Sequence, residues 1–542
     1  PSGTYMLNNW INLRKSGTTL FGEKSSVLKH SPSFYKTFWG ALGINDENVR
    51  DITIKGMTLD GSRKDLPNYD PITDLNTESG STPLIRIQGT GSSKYSANIH
   101  ITDVSFIHSA LDSIYIRAPY IKDINVSGCY SYDCGRSHLV VTEGEGIIFD
   151  RNICVDAKNS MFDIETNTAD VAVRNVTLSN NILLSQSSTA AGIGLTGRGT
   201  HENIIISNNM IHAQGHILQF GQCSNLIFSG NVCSGVNNRE GRGVIETLAE
   251  AKDVVFTGNS ITTRNALGEG GTGSGMWIRS PQSITFSNNV FDFELSGIQV
   301  DQGGFGVRIV GNKISSQGTA LSIASAVGAF ISDNEIKSSG FNTSAITLSS
   351  PDLIFSGNSV HAGGSEIFLY SSSGTYVNNT FSEASTIRVR YAAGGTSSII
   401  GNRMSLQKFE SVDVSNLILK DNVMSFENKA LGDMVDIQSG TLYANVTGNL
   451  IYAEESTSTT SNGVYMRAPR FTFTGNSVVD RKSTQTVGAA LRTGSEALFG
   501  IIQGNTFGTS VGPTLNNATD FKPFIPDKTR TENLNIFNHL IS

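Results

Sequence analysis

Charge is scarce in this chain. Asp, Glu, Lys and Arg make up 16% of its residues, the formal net charge is −7, and no cluster of Lys or Arg rises above background. A nucleic-acid partner needs a basic stripe, so none is expected, and a mildly acidic balance suits a neutral or weakly charged ligand. No apolar run approaches 18 residues and no signal peptide is visible, so no membrane insertion is expected. Cysteine is limited to five residues: Cys129, Cys134, Cys154, Cys223 and Cys233. The set is odd, clustered and without His at metal-ligand spacing. It predicts no metal and no cofactor, only small buried thiols in a chain assembled in a reducing compartment. Cys134 as a nucleophile would lack a base. Also missing are helical periodicity, a repeated run of Leu and Trp-Asp dipeptides, which excludes βαβ, leucine-rich and propeller repeats.

What is abundant is a recurring stretch: an apolar strand, a small polar residue, then Gly-Asn or Asn-Asn, then another apolar pair. It falls at Asn152, Asn181, Asn209, Asn231, Asn259, Asn289, Asn312, Asn334, Asn358, Asn379, Asn402, Asn422, Asn449, Asn476 and Asn505. Spacings of roughly 20 to 30 residues are the period of a solenoid, too short for a domain. Each unit holds a second strand, as in Ser113 to Arg117 or Gly297 to Asp301, and both strands alternate with period two. The expected fold is all-β, a single-stranded right-handed parallel β-helix. The recurring Asn reads as an internal ladder, its amide bonding the equivalent on the next coil, at a corner whose left-handed backbone Asn tolerates. Residues 1–60 form the opening coils and 61–507 the main helix, with a polar loop insertion near 62–98 (Lys64, Asp65, Pro67, Asp70, Asp74, Glu78). Residues 508–542, with Phe521, Pro523, Phe524, Ile525 and Pro526, form a cap or association segment over the solenoid end. Because the chain opens at Pro1, a further N-terminal segment is expected before it.

Equivalent residues of such a solenoid stack about 4.8 Å apart, so aligning the second strands shows what one outer face presents. With apolar pairs inward, the outward position reads Tyr115, Val140, Asp163, Gly194, Gln219, Glu246, Trp277 and Gln299, and farther on Phe368, Arg388, Asp413, Asp436 and Tyr465. Two residues on come Arg117, Thr142, Glu165, Thr196, Arg279 and Asp301. Acids, Arg and aromatics concentrate in the first half. Asp163 and Glu165 share a face with Cα atoms about 6.5 to 7 Å apart. Carboxyls roughly 6.5 to 9.5 Å apart leave room for the water of inverting glycoside hydrolysis, one as acid and one as base. Glu246 is the reserve catalytic carboxylate, about 14 Å from Asp163, too far for direct pairing. Tyr115 and Trp277, followed by Arg117 and Arg279, suit pyranose faces and carboxylate or hydroxyl pairs. Gln219 and Asp301 complete the candidate binding residues. The plain alternative is a structural coil ending, since Tyr465, Arg467 and Pro469 repeat the pattern. His138 and Arg136 would be base and charge neutraliser if the reaction were β-elimination of a uronate, and Tyr115 could serve as base too.

The opening stretches carry a resemblance. Pro1 to Leu7, Ser16 to Lys29 and the run from Asp51 (Ile-Thr-Ile-Lys-Gly-Met-Thr-Leu-Asp-Gly) look like the first coils of the pectate-lyase-like superfamily of right-handed β-helices. Through the Gly-Asn coils the likeness covers most of the chain. Asp-Pro-His-Glu of the alginate epimerases is absent, Ala110 to Ser113 standing in its place, as are Gly-His-Gly and Arg-Ile-Lys of the polygalacturonases. Within this superfamily the chain is similar to bacteriophage tailspike depolymerases. That resemblance implies a homotrimer in a virion tail that binds and cleaves bacterial surface polysaccharide, O-antigen or capsule. Three functions follow as expectations: a glycoside hydrolase, a polysaccharide lyase acting on a uronate-containing chain, or a non-catalytic adhesin. A secreted bacterial protein is the alternative location.

Overall fold

The computed structural model describes residues 2–33, 40–45, 49–71, 73–76, 82–89, 95–185, 191–237, 242–265, 274–294, 296–340, 344–390, 395–426, 433–453, 461–480, 487–494, 496–497, 499–508 and 522–523. They fall into two compact units, Pro1–Leu295 and Ser296–Ser542. Each is a parallel β-solenoid. A turn of the first unit supplies three strands, for example Ser160–Thr166, Ala172–Ser179 and Ile182–Leu184. Each pairs in parallel with its equivalent one turn on: Ala191–Gly197, Thr200–Ser207 and Met210–Ala213. Alternation decides which residues go inside. Phe228, Phe256 and Phe286 stack in register, their ring centroids 5.4 and 5.2 Å apart. Each fully buried Phe contributes about 1.5 to 3 kcal/mol, so the core gains stability turn by turn. Among the described residues no helix is long and apolar enough to cross a membrane.

The Asn ladder exists in both units. In the first, the backbone N–H and Nδ2 of Asn152 both donate to Oδ1 of Asn181, at 2.9 and 3.0 Å, and the pattern repeats through Asn209, Asn231, Asn259 and Asn289. The second unit repeats it from Asn312 to Asn505. One expectation is corrected. The left-handed residue is the one before each ladder Asn: Arg151, Asn180 and Asn208 have φ of 53°, 57° and 57°, and Gly230 63°. The preceding residue makes the corner, which frees the Asn to point inward. This explains the Gly-Asn and Asn-Asn pairs, since Gly and Asn are the residues that adopt positive φ at least cost. Cys129 holds the ladder position one turn before Asn152, its N–H donating to Asn152 Oδ1 at 2.9 Å. All five cysteines are buried and free of disulfides. Burial pushes the thiols of Cys129, Cys134 and Cys223 up to about 12, which disfavours a reactive thiolate at Cys134.

The insertion is shorter than the polar composition suggested. Ile85–Gln88 is a coil strand, paired with Leu42–Ile44 and with Ile114–Ser127. What leaves the coil carries the small hairpin Tyr69–Asp70 and Leu75–Asn76, and it is pinned. The wholly buried Arg63 donates from Nε and Nη2 to Asp133 Oδ1 at 3.1 and 2.6 Å, and from Nη2 to Asp74 Oδ1 at 2.9 Å. Lys158 Nζ lies 2.8 Å from Asp74 Oδ2. Burial works against the Asp74 carboxylate, but Lys158, Tyr69 and Arg63 together hold it well below the usual range. Of the final segment, only Gly508 and Lys522–Pro523 are described, the latter pairing with Phe499–Gln503. Glu78, Phe521, Phe524, Ile525 and Pro526 lie outside the described residues.

Candidate functional site

Strand register builds the outward row of the first unit. Tyr115, Val140, Asp163, Gly194, Gln219, Glu246 and Trp277 are partners on successive turns. The row extends back to Arg86, which pairs with Tyr115 and holds its guanidinium 5.4 Å from that ring, and beyond it to Gly43 and Asn12. Sequence reasoning missed Arg86 because it sat in the stretch read as a loop.

Asp163 is the unusual member. It is on the outer face of its strand, yet only 6% exposed. Burial is the main cause that pushes its carboxyl up to about 7; the nearby Glu165 charge adds to the shift and Arg136 opposes it. Among the described residues no hydrogen bond reaches that carboxyl. Arg136 cannot neutralise it fully, because Nε and Nη2 of Arg136 donate to the two oxygens of the wholly buried Asp112, at 2.9 and 2.7 Å. On the next turn Gly194 puts no side chain beside Asp163: a Cβ there would lie 3.5 Å from Asp163 Oδ1. Glu165, two residues along the same face, is half-buried and pairs with Thr196. A protonatable carboxyl that faces a glycine on the next turn and has a second carboxylate beside it can exchange a proton with a bound group.

Glu246, three turns on, is of another kind. It is fully buried on the outward row, with Oε1 accepting from Gln219 Nε2 and Arg242 Nη1, both at 2.9 Å. His216 Nε2 is 4.0 Å from the same oxygen. Among the described residues Oε2 has no hydrogen-bond partner. Glu246 thus anchors Gln219, and the register keeps it about 14 Å from Asp163. One turn farther, Arg279 lies 4.6 Å over the Trp277 ring and donates from Nε and Nη2 to the Thr247 carbonyl, at 3.1 and 2.9 Å. The pair is a fixed, half-buried aromatic and guanidinium platform.

The fold itself has a family. A sequence profile of the right-handed β-helix region matches residues 43–232 and, overlapping, 173–336, together more than half of the chain. The chain belongs to the right-handed β-helix family. No curated protein sequence matches it. Among solved structures it is similar to the A-module of the mannuronan C-5 epimerase AlgE6 of Azotobacter vinelandii, at 15% identity and a TM-score of 0.42, over 66% of this chain and 89% of that one. It is similar to the pre-mature gene product 12 of bacteriophage phi29, at 14% identity and a TM-score of 0.37, over 94% and 69%. A third is a mutant tailspike of Escherichia coli bacteriophage HK620 in complex with a pentasaccharide, at 12% identity and a TM-score of 0.33, over 78% and 71%. Likeness at this level carries no chemistry to this chain.

On this β-helix several expected placements change. His138 is not exposed on the outer face: it is 1% exposed, its Nδ1 lies 2.5 Å from the buried Ser131 Oγ, and burial lowers its pKa to about 3. His138 and Leu139 are consecutive buried residues near the start of the strand Ser137–Asp150, so the alternation that put Val140 outward fails there. Arg117 pairs with Glu143 instead of Thr142, because a register shift follows Ile116; its Nε lies 3.8 Å from Glu143 Oε2. Glu410 takes the position given to Asp413, since Phe409 is the inward residue of its turn. Asp301 lies in the second unit, where Gln299 Nε2 donates to its Oδ2 at 3.1 Å.

Proposed function

We propose that this β-helix is a phage tailspike component that binds bacterial surface polysaccharide, O-antigen or capsule, and cleaves it by hydrolysis. The observation that carries the reading is Asp163: an outward, covered carboxyl with no hydrogen bond among the described residues and a pKa near 7. Such a group is protonated in a substantial fraction of molecules near neutral pH, the state a general acid needs. Asp163 gives its proton to the glycosidic oxygen as the bond from the anomeric carbon breaks. Glu165 takes a proton from the water that attacks that carbon from the opposite face. Cα atoms about 6.5 to 7 Å apart at i and i+2 are compatible with the carboxyl separation of inverting hydrolysis. Tyr115, Arg117, Trp277 and Arg279 hold flanking sugars, and Glu246 positions Gln219.

Size-exclusion chromatography with ultraviolet detection of polysaccharides from a panel of Gram-negative hosts tests this. Shorter chains without ultraviolet gain are expected, and loss of that shortening in Asp163→Asn. An unsaturated, absorbing product would instead identify a lyase, and no shortening on any host an adhesin.

The chain acts as a self-associating protein, a homotrimer in this reading. Support comes from an unusual outer row beside the Asn corner: Ile153, Met210, Val232 and Val290 are 40%, 51%, 57% and 48% exposed. Patches of this kind on a β surface mark association sites. Analytical ultracentrifugation of Met210→Lys combined with Val232→Lys is expected to give the monomer mass; an unchanged mass rejects this surface.

A further inference from the structure

The second unit has an outward row of its own to which the proposed hydrolysis gives no task. Phe368, Arg388, Glu410, Asp436, Tyr465 and Arg492 are partners on successive turns. At about 4.8 Å per turn the row runs for about 24 Å, room for several sugar residues. Its two carboxylates stand on the outer side of the coil, yet their side chains are only 11% and 8% exposed. Cations cover them. Arg388 Nε donates to Glu410 Oε2 at 2.7 Å, and Lys408 Nζ to Glu410 Oε1 at 3.1 Å. Arg467 Nη2 donates to both oxygens of Asp436, at 2.8 and 3.0 Å. Each acid is thus held by cations. The cations in turn lie against rings: Arg388 is 5.6 Å from the Phe368 centroid, and Arg467 and Arg492 are each 5.0 Å from that of Tyr465. Arg492 is half-exposed and has no carboxylate partner among the described residues.

We propose that this row is a second, non-catalytic glycan-binding site, which takes a hydroxyl-rich, neutral or weakly acidic polysaccharide chain. The inference rests on the reading that the ligand of this protein is a polysaccharide. Guanidinium planes held flat by rings and ion pairs present donor pairs matched to neighbouring hydroxyls or to one carboxylate. Ring edges and half-buried faces add apolar contact for the sugar ring. Because the ion pairs already fix these side chains, binding pays little to order them. Balanced charge gives the row no long-range pull on a polyanion, so selectivity lies with hydroxyl pattern. The row would retain the long polymer while the first unit cleaves it.

The test uses the full chain carrying Asp163→Asn, so that the probe is not consumed. Affinity for purified O-polysaccharides and capsular polysaccharides from the host panel is measured by calorimetry, with and without Arg492→Ala or Tyr465→Ala. Arg492→Ala removes no ion pair seen here, so it keeps the fold if the Tyr465 variant loses it; near-ultraviolet circular dichroism monitors both. About tenfold weaker binding in each folded variant is expected, with cleavage of short oligosaccharides unchanged when Arg492→Ala is placed in the otherwise natural chain. Affinity that stays within about twofold in Arg492→Ala overturns the proposal, as does failure of every polysaccharide to bind. If no host polymer is cleaved but Arg492→Ala still weakens binding, the hydrolase reading fails and this site stands.

Discussion

Asp163 in the first unit and Asp436 in the second stand on the outer face of their strands, and each is 6% exposed. Their surroundings differ. Asp436 takes two bonds from Arg467 and has Lys408 at 3.5 Å, whereas among the described residues no hydrogen bond reaches Asp163, whose neighbour two residues away is another acid. Burial alone therefore does not make an acid. Cations laid over a covered carboxylate offset the cost of burying its charge, and a carboxyl covered without them is pushed toward its protonated form. Outward rows of like construction thus hold a carboxyl without cation partners in one unit and a fixed, charge-balanced platform in the other.

The largest expected effect tests that contrast directly. Asp163→Asn and Glu165→Gln should each lower polysaccharide cleavage by about 10²–10⁴-fold, while Glu410→Gln in the second unit should leave the rate on short oligosaccharides unchanged; equal losses in both units would dissolve the comparison. Next comes the pH dependence of stability, which should differ in sign between the two units. The Asp163 pKa is raised on folding, so the folded state binds more protons than the unfolded state between about pH 4 and 7, and its contribution falls as pH rises through that window. Asp163→Asn should remove the loss, stabilising the protein at pH 8 by up to about 4 kcal/mol and hardly at all at pH 4. Glu410 runs the other way. Burial opposes its charge, but Arg388 and Lys408 more than offset this and lower its pKa, so its stabilisation is present at neutral pH and lost as pH falls below about 4. Urea titrations across pH would show both slopes.

The ladder should be indifferent to the comparison. Asn231→Ala in the first unit and Asn402→Ala in the second each leave buried backbone groups without partners, and each should cost about 3 kcal/mol in chemical denaturation; a large difference between them would mean that the units do not share one construction. The smallest effect is at Glu366, whose carboxylate lies 3.4 Å from Arg388 with side chains 36% and 32% exposed. Glu366→Gln should change stability by less than about 1 kcal/mol. A larger loss would show that the platform depends on its exposed pairs.

Much of this was legible in the chain. The Asn spacing shows the solenoid and its inward ladder because every turn needs the same group to satisfy the same backbone atoms. The outward row from Tyr115 to Trp277 could be aligned by eye, since period-two strands between fixed corners leave one register. The misses lie where that regularity lapses. His138 is buried next to the buried Leu139 near the start of its strand, Glu143 follows a register shift, and Glu410 and Asp413 both fit an alternating pattern until Phe409 is known to point inward. Arg86 was hidden by the polar neighbours of the insertion.

By itself the sequence determined that this chain repeats, that its strands alternate, that an inward Asn recurs beside each corner, and that Asp163 and Glu165 share a face. These follow from local pattern and covalent spacing alone. Only the tertiary structure decided which carboxylates are covered with cations and which without. Arg136 is spent on Asp112, whereas Arg388 and Arg467 close over Glu410 and Asp436. Partners 20 to 30 residues apart in sequence meet only when the turns stack, and proton affinity depends on those meetings and not on the identity of the acid.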